Sequence, residues 1–458
     1  MAPASSLGTD STPSDAQRAP VPAISYRTAD TAGPMDCAVT CWSLAWVVAE
    51  DGEGGQVAAG GDARPEQTRP SPAVSLRVIA REWSRIGVTG FGGPPAHIAL
   101  LRRLCVQQNS WLSESEFEDG IAATSLLPGP ASTQLAIFCA WRLAGPMGAI
   151  VGGACFIVPG LIIILALSVL FLAHSPPAWV RGAAAGAGGA VPIVAVAAAV
   201  ALAPASWRRA GETKPARVRW VCYAVAGAVA ANVAGEFLVA VLLACGLLEW
   251  LLNRRRADSS GPANPAHPGA FLGGLTGKAI TAGVIGSLAW VAIKVGALSF
   301  GGGFVIIPLM QHDAVHTYHW MTTAQFLSAV ALGQVTPGPV VLTVSVVGYA
   351  AAGIVGGIVG AVVAFAPSFI FVLAGGPHFD KFRRSSGAQT FLSGAGPAAI
   401  GAIAGAAVTL GLGLTQLWQV GVLAAAACWL ILLRRGVVTA LLGAAAIGVI
   451  VALAGGLS

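Results

Sequence analysis

The sequence predicts an all-α polytopic membrane protein made of two homologous, inverted halves with broken helices, about 10–13 spans in all. Three observations predict it. At 55% hydrophobic and 10% charged residues, the chain carries far fewer charges than the roughly 25% of a soluble domain. From Val74 onward, apolar segments follow one another with short polar joints. Phe-Gly-Gly and Pro-Gly-Pro each occur twice, at Phe91-Gly92-Gly93 and Phe300-Gly301-Gly302, and at Pro128-Gly129-Pro130 and Pro337-Gly338-Pro339. One offset of 209 residues relates both pairs, and it runs without a gap from Gly87/Gly296 through Trp111/Trp320 to Phe156/Phe365.

Residues 1–73 are rich in Ala, Pro, Ser, Asp and Gly and read as a largely disordered extension. The apolar stretch from Cys37 to Ala49 is too short to span and lacks the basic flank of a signal peptide. Cys37 and Cys41 have no His or further Cys near them, so no metal site is expected, and no cofactor. The first repeat covers 74–252, with segments near 74–104, 114–143, 146–173, 178–204, 217–232 and 234–252. A basic linker, 253–278, contains Arg254-Arg255-Arg256. The second repeat covers 279–458, with segments near 279–311, 323–349, 352–375, 391–412, 415–433 and 436–455. The net charge of +6 sits in joints between apolar segments, which reads as cytoplasmic loop charge and not as a nucleic-acid footprint. The 59 glycines predict close helix packing.

The second segment of each half opens on a capping box, Ser113-x-x-Glu116 and Thr322-x-x-Gln325. Apolar pairs flank each box, Leu112 with Phe117 and Met321 with Phe326, and Trp111 and Trp320 sit just before at the interface. Helices therefore start near Glu114 and Thr323, and about 21 Å of helix carries the chain to each Pro-Gly-Pro, within the ~30 Å hydrocarbon core. Breaks at that depth survive only where they are buried in protein or line a cavity, and paired breaks in two halves point to the binding site of a secondary transporter.

Proline suits a helix start, so Pro130 and Pro339 open new half-helices. The N–H groups of Ala131, Ser132 and Thr133, and of Val340, Val341 and Leu342, then face the cavity with the positive end of the dipole, an anion site. Pro95 starts the helix after the first Phe-Gly-Gly. Arg85 and Lys294 occupy equivalent positions six residues before each Phe-Gly-Gly; they either line the pocket or snorkel to the interface. His97 can exchange protons or pack as a hydrogen-bonded neutral ring. Arg142 reads as a topology charge, and Gln134 and Gln334 either orient a ligand or tie helices together.

The runs Gly87 to His97, Leu127 to Gln134, Gly296 to Gly303 and Thr336 to Pro339 resemble the chromate ion transporter family in its long, two-domain form, over about residues 74 to 455. The resemblance implies proton-driven export of chromate from the cytoplasm and chromate resistance. The site residues it implies are Phe91, Gly92, Gly93, His97, Pro128, Gly129, Pro130, Phe300, Gly301, Gly302, Pro337, Gly338 and Pro339. Leu104 follows Arg102-Arg103 where members commonly carry Glu, and the N-terminal extension is atypical. Arg208, Arg209, Lys214, Arg217 and Arg219 after the fourth segment, against Lys381, Arg383 and Arg384 before its counterpart, alternate as inverted repeats require; Arg254-Arg255-Arg256 disagree unless some segments are re-entrant. Sulfate, also a tetrahedral dianion, stays open as the substrate, as does an anion channel. An enzyme lacks support, since no paired catalytic carboxylates or nucleophile with its base are visible. The expected partners are the anion, protons, the plasma-membrane bilayer and a second copy of the chain.

Overall fold

A computed structural model describes residues 74–173, 175–211, 213–233, 237–258, 283–299, 306–375 and 386–455. The extension 1–73 with Cys37 and Cys41, most of the 253–278 linker, Phe300, Gly301, Gly302, Lys381, Arg383 and Arg384 lie outside the described residues. Among those described, the chain is helical throughout. The first half runs α1 (Leu76–Thr89), α2 (Pro94–Arg102) with a π-turn at Arg103–Gln108, α3 (Glu114–Leu126), α4 (Ala131–Phe171), α5 (Ala178–Ala210), α6 (Lys214–Val233) and α7 (Leu238–Asp258). The second runs α8 (Val284–Leu298), α9 (Ile306–Gln311) with a π-turn at His312–Thr317, α10 (Thr323–Val335), a 3-10 turn (Val340–Leu342), α11 (Thr343–Gly375), α12 (Ser386–Leu412), α13 (Leu417–Ala427) with a π-turn at Cys428–Leu432, and α14 (Val437–Leu453).

Both capping boxes form as their sequences require. Glu116 N–H donates to Ser113 Oγ at 3.2 Å and Ser113 N–H to Glu116 Oε2 at 3.0 Å. Gln325 N–H donates to Thr322 Oγ1 at 3.2 Å and Thr322 N–H to Gln325 Oε1 at 2.8 Å. The caps start α3 and α10 at Glu114 and Thr323.

The helices α1, α3, α8 and α10 are only 13 to 15 residues long, because each ends at a break. At ~1.5 Å per residue, none is long enough to cross a bilayer by itself. Glu116, at the start of α3, is ion-paired with Arg142, and a Cβ on Gly120 would stand 2.6 Å from the Phe138 ring. Residues 116 and 142 would lie about 39 Å apart along one continuous helix. So α3 and the first limb of α4 (131–143) form a hairpin whose tip is Pro128-Gly129-Pro130. The chain reverses again at Ala144 and Gly145, where Gly145 takes φ 61°, and the second limb (146–171) is long enough to cross a bilayer. Alongside it, α1 packs Ile79 and Trp83 on Gly152 and Gly87 on the Phe156 carbonyl. Arg102 at the end of α2 returns to the start of α3, bonding Glu114 at 2.9 Å and Glu118. The Phe-Gly-Gly and Pro-Gly-Pro tips of this half therefore both point inward from one side.

The second half repeats these elements with one slip. Up to the Pro-Gly-Pro the offset is 209, but α11 reverses at Ala352 and Gly353, 208 residues after Ala144 and Gly145. Gly87 meets the Phe156 carbonyl whereas Gly296 meets that of Ala364, so the gapless pairing of Phe156 with Phe365 is corrected to Phe156 with Ala364. The cause is the 3-10 turn at Val340–Leu342. Three residues rising ~2.0 Å each climb as far as four α-helical residues at ~1.5 Å.

Among the described residues, four helices are long and apolar enough to cross a bilayer: Ala131–Phe171, Ala178–Ala210, Val340–Gly375 and Ser386–Leu412. At the centre, α4 and α11 lie antiparallel, with Gly153 on the Phe369 ring and Leu165 on Gly357. The halves also exchange helices: α5 packs against α14, and α12 against α6 and α7. These crossings are backbone on backbone. A Cβ on Gly186 would fall well inside contact distance of the Ala444 carbonyl, and one on Gly401 inside that of Ala224.

Gly401→Val should therefore push α12 off α6. Overpacking of this kind costs about 1–3 kcal/mol or more. Thermal unfolding in detergent should show a lower midpoint than wild type, whereas Gly443→Val, with open space at its Cβ position, should not.

Candidate functional site

The first Phe-Gly-Gly turn needs its glycines, because Gly92 takes φ 101° and Gly93 φ 72°. Phe91 is exposed at the tip. The helix behind it opens at Pro94, not at Pro95, with Gly93 as the cap. At the two Pro-Gly-Pro turns, Gly129 takes φ 127° and Gly338 φ 100°.

Pro130 is the cap of the α4 helix and not its first helical residue, since its extended backbone already presents a carbonyl to Thr133 and Gln134 N–H at 3.0 Å each. Pro339 is likewise the cap of the 3-10 turn, and its carbonyl accepts from Leu342 N–H at 2.9 Å. The N–H groups of Thr133 and Leu342 are thus engaged. Ala131, Ser132, Val340 and Val341 hold the positions whose amides have no acceptor within the helix.

A continuous set of hydrogen bonds joins three of the four breaks. The Gly90 carbonyl, just before the first Phe-Gly-Gly, accepts from Gly338 N–H of the second Pro-Gly-Pro at 3.1 Å. It also accepts from His97 Nε2 at 2.9 Å. The other ring nitrogen, Nδ1, lies 3.3 Å from Ser132 Oγ at the start of α4, past the first Pro-Gly-Pro. A carbonyl only accepts, so Nε2 carries the proton and Nδ1 of the neutral ring receives the Ser132 hydroxyl. The ring is fully buried and packs edge-on against Phe156 at 5.0 Å. Packing room is absent here: a Cβ on Gly90 would stand 2.7 Å from the His97 ring.

Around these breaks sit buried side-chain atoms without a hydrogen-bond partner among the described residues: Thr133 Oγ1, Gln134 Oε1, Ser299 Oγ, Gln334 Nε2, Ser345 Oγ and Ser368 Oγ. Such groups cost about 1–3 kcal/mol each when nothing satisfies them. Two of them, on Gln134 and Ser368, come together at Gly129, an arrangement a polar ligand would complete. The two Pro-Gly-Pro turns are not equivalent in this respect. Beside Gly129 stand Gln134, whose Nε2 donates to the Pro128 carbonyl at 2.7 Å, and Ser368 from the opposite half. Beside Gly338 stand Leu342 and Gly160. The repeat is symmetric in backbone and asymmetric in chemistry.

The cations lie away from the tips. Lys294 Nζ bonds Asp313 Oδ2 at 2.6 Å and sits over the Trp290 ring, one turn back from the break. Arg85 is exposed and lies 3.9 Å from Glu82. Arg142 is held by Glu116 at the hairpin base. Asp313, Ser368 and the Gly90 carbonyl were not among the expected site residues. Asp313 had a signal: it is one of two acidic residues in 279–458, and it stands 209 residues after Leu104. That difference explains the cations, since Lys294 has an acid to turn to and Arg85 has Leu104.

Asp313→Asn should leave Lys294 charged and unpaired in a nearly closed site. Breaking a buried pair from one side costs about 3–5 kcal/mol. Denaturant unfolding in detergent should show that loss, and adding Lys294→Met should recover most of it.

The family profile described as chromate transporter matches residues 78–250 and 286–449. The chromate transport protein of Cupriavidus metallidurans is 32% identical over 354 residues, covering 74% of this chain and 84% of the relative. The probable chromate transport protein of Synechococcus elongatus is 30% identical over 357 residues, covering 74% and 86%. The chromate transport protein of Pseudomonas aeruginosa is 30% identical over 350 residues, covering 74% and 82%. No solved structure matches. On the profile match across both halves, and on relatives aligned over most of their own length, this multi-pass membrane protein belongs to the chromate transporter family.

Proposed function

We propose that the protein carries chromate out of the cytoplasm across the plasma membrane, coupled to protons and giving chromate resistance, through two inverted repeats. The observation that carries the reading is the set of unpartnered buried polar atoms at helix breaks. A tetrahedral dianion has acceptor oxygens on every side, and the first turn of α4 offers amides, hydroxyls and the positive end of a dipole. The polar first Pro-Gly-Pro is the main site in this reading, with Ser132, Thr133, Gln134 and Ser368 around it. The second Pro-Gly-Pro, through Gly338 and Gly90, holds the site's frame. Phe300, Gly301 and Gly302 complete the fourth break by their repeat position. Lys294 and Arg85 supply fold and interface charge instead of direct anion contact. The antiparallel packing of α4 on α11 supports the inversion.

Labelled chromate uptake into everted vesicles tests the reading. Uptake should depend on the proton gradient, and excess sulfate should compete more weakly than unlabelled chromate. Gradient-independent flux at channel rates would overturn the carrier; preferred sulfate would reassign the substrate. Gly129→Leu should abolish uptake while the protein still inserts, because the side chain would meet Gln134 and adopt a backbone angle that L-residues avoid. Wild-type uptake by this variant would remove the first break from the site.

A further inference from the structure

We infer that His97 takes up the transported proton and acts through Ser132, whose hydroxyl turns from the ring to the anion once the ring is charged. This rests on the anion-transport reading and deepens it by naming how proton and anion are linked.

With the ring neutral, His97 Nε2–H donates to the Gly90 carbonyl and Nδ1 accepts from the Ser132 hydroxyl. A proton from water then adds to Nδ1, forming one N–H bond and an imidazolium. The Nε2–H stays on the Gly90 carbonyl, which accepts it alongside Gly338 N–H. Nδ1–H now donates to Ser132 Oγ, so the hydroxyl hydrogen is expelled from that line and rotates toward the first turn of α4. Release of the proton reverses every step. Charge and donor reach the anion together: the imidazolium supplies the first and Ser132 the second.

The surroundings make the linkage obligatory. His97 is fully buried, so a charged ring is unfavourable without a counter-charge and favourable beside a dianion. By reciprocity, proton and anion each raise the affinity for the other. No charge on the packed elements replaces them among the described residues. The second limb of α4, α10 and α11 carry none. On α1, Arg77, Arg81 and Arg85 are exposed, and Glu82 lies beside Arg81 and Arg85. Arg102 ends α2 against Glu114 and Glu118, and Arg142 ends the first limb against Glu116. Asp119 stands with those acids in the first turns of α3. The thiols of Cys105 and Cys139 face each other two turns past Ser132.

The test is the apparent KM for chromate in everted vesicles between about pH 6 and about pH 8, normalised to inserted protein. Chromate itself takes up a proton near neutrality, so wild type and variants are compared at each pH. The wild-type KM should improve toward acid by about tenfold more than that of Ser132→Ala. Ser132→Thr, which keeps the hydroxyl, should restore the profile, and His97→Gln, which keeps a donor to Gly90 but cannot gain a proton, should flatten it. A Ser132→Ala profile parallel to wild type, including one raised equally at every pH, overturns the inference. That decision stands even if His97→Gln fails to insert. If wild-type protein moves no anion, the transport reading itself falls, and the two failures are told apart.

Discussion

Inside a bilayer a backbone amide freed by a helix break has no water to turn to, and the fold depends on how those amides are closed. The bond from Gly338 N–H to the Gly90 carbonyl closes one break with another from the opposite half. Neither half satisfies that pair alone. The same carbonyl also fixes the His97 ring, so the requirement that stabilises the backbone also determines which ring nitrogen faces Ser132. Structure and site are joined at one oxygen atom.

Bringing two breaks into contact requires helices to approach closely, and this is the role of the glycines at the crossings of α4 with α11, α5 with α14 and α12 with α6. Lipid tails are as apolar as leucine, so association comes from packing and not from hydrophobic burial. The exchange of α5 and α12 between halves makes the two repeats one packed body, with a second apolar cluster around Tyr223, Leu238 and Ile403.

Duplication gave both halves the same backbone devices, and the residues beside them diverged. Gln134 and Ser368 flank Gly129, while Leu342 and Gly160 flank Gly338. Asp313 draws Lys294 inward, while Leu104 leaves Arg85 to Glu82 and the exterior.

The sequence by itself determined the helical class, the repeat, both capping boxes, the starts of α3 and α10 and the breaks at Phe91-Gly92-Gly93 and at both Pro-Gly-Pro turns, because each is a local signal carried by a few neighbouring residues. It also singled out His97, which the structure places between the Gly90 carbonyl and the Ser132 hydroxyl. It did not reveal that α3 and α4 form a hairpin, that α11 is shortened by a 3-10 turn, or that Pro130 and Pro339 are caps, since Glu116 meets Arg142 and Gly90 meets Gly338 only across long stretches of chain. Side-chain direction was equally out of reach: Lys294 and Arg85 hold equivalent positions, and only the packed neighbours of each, Asp313 for one and Glu82 for the other, decide where the charge goes. Periodicity and caps act over one helical turn, whereas the chemistry of the site is set by contacts between halves some 200 residues apart, which only the folded chain brings within bonding distance.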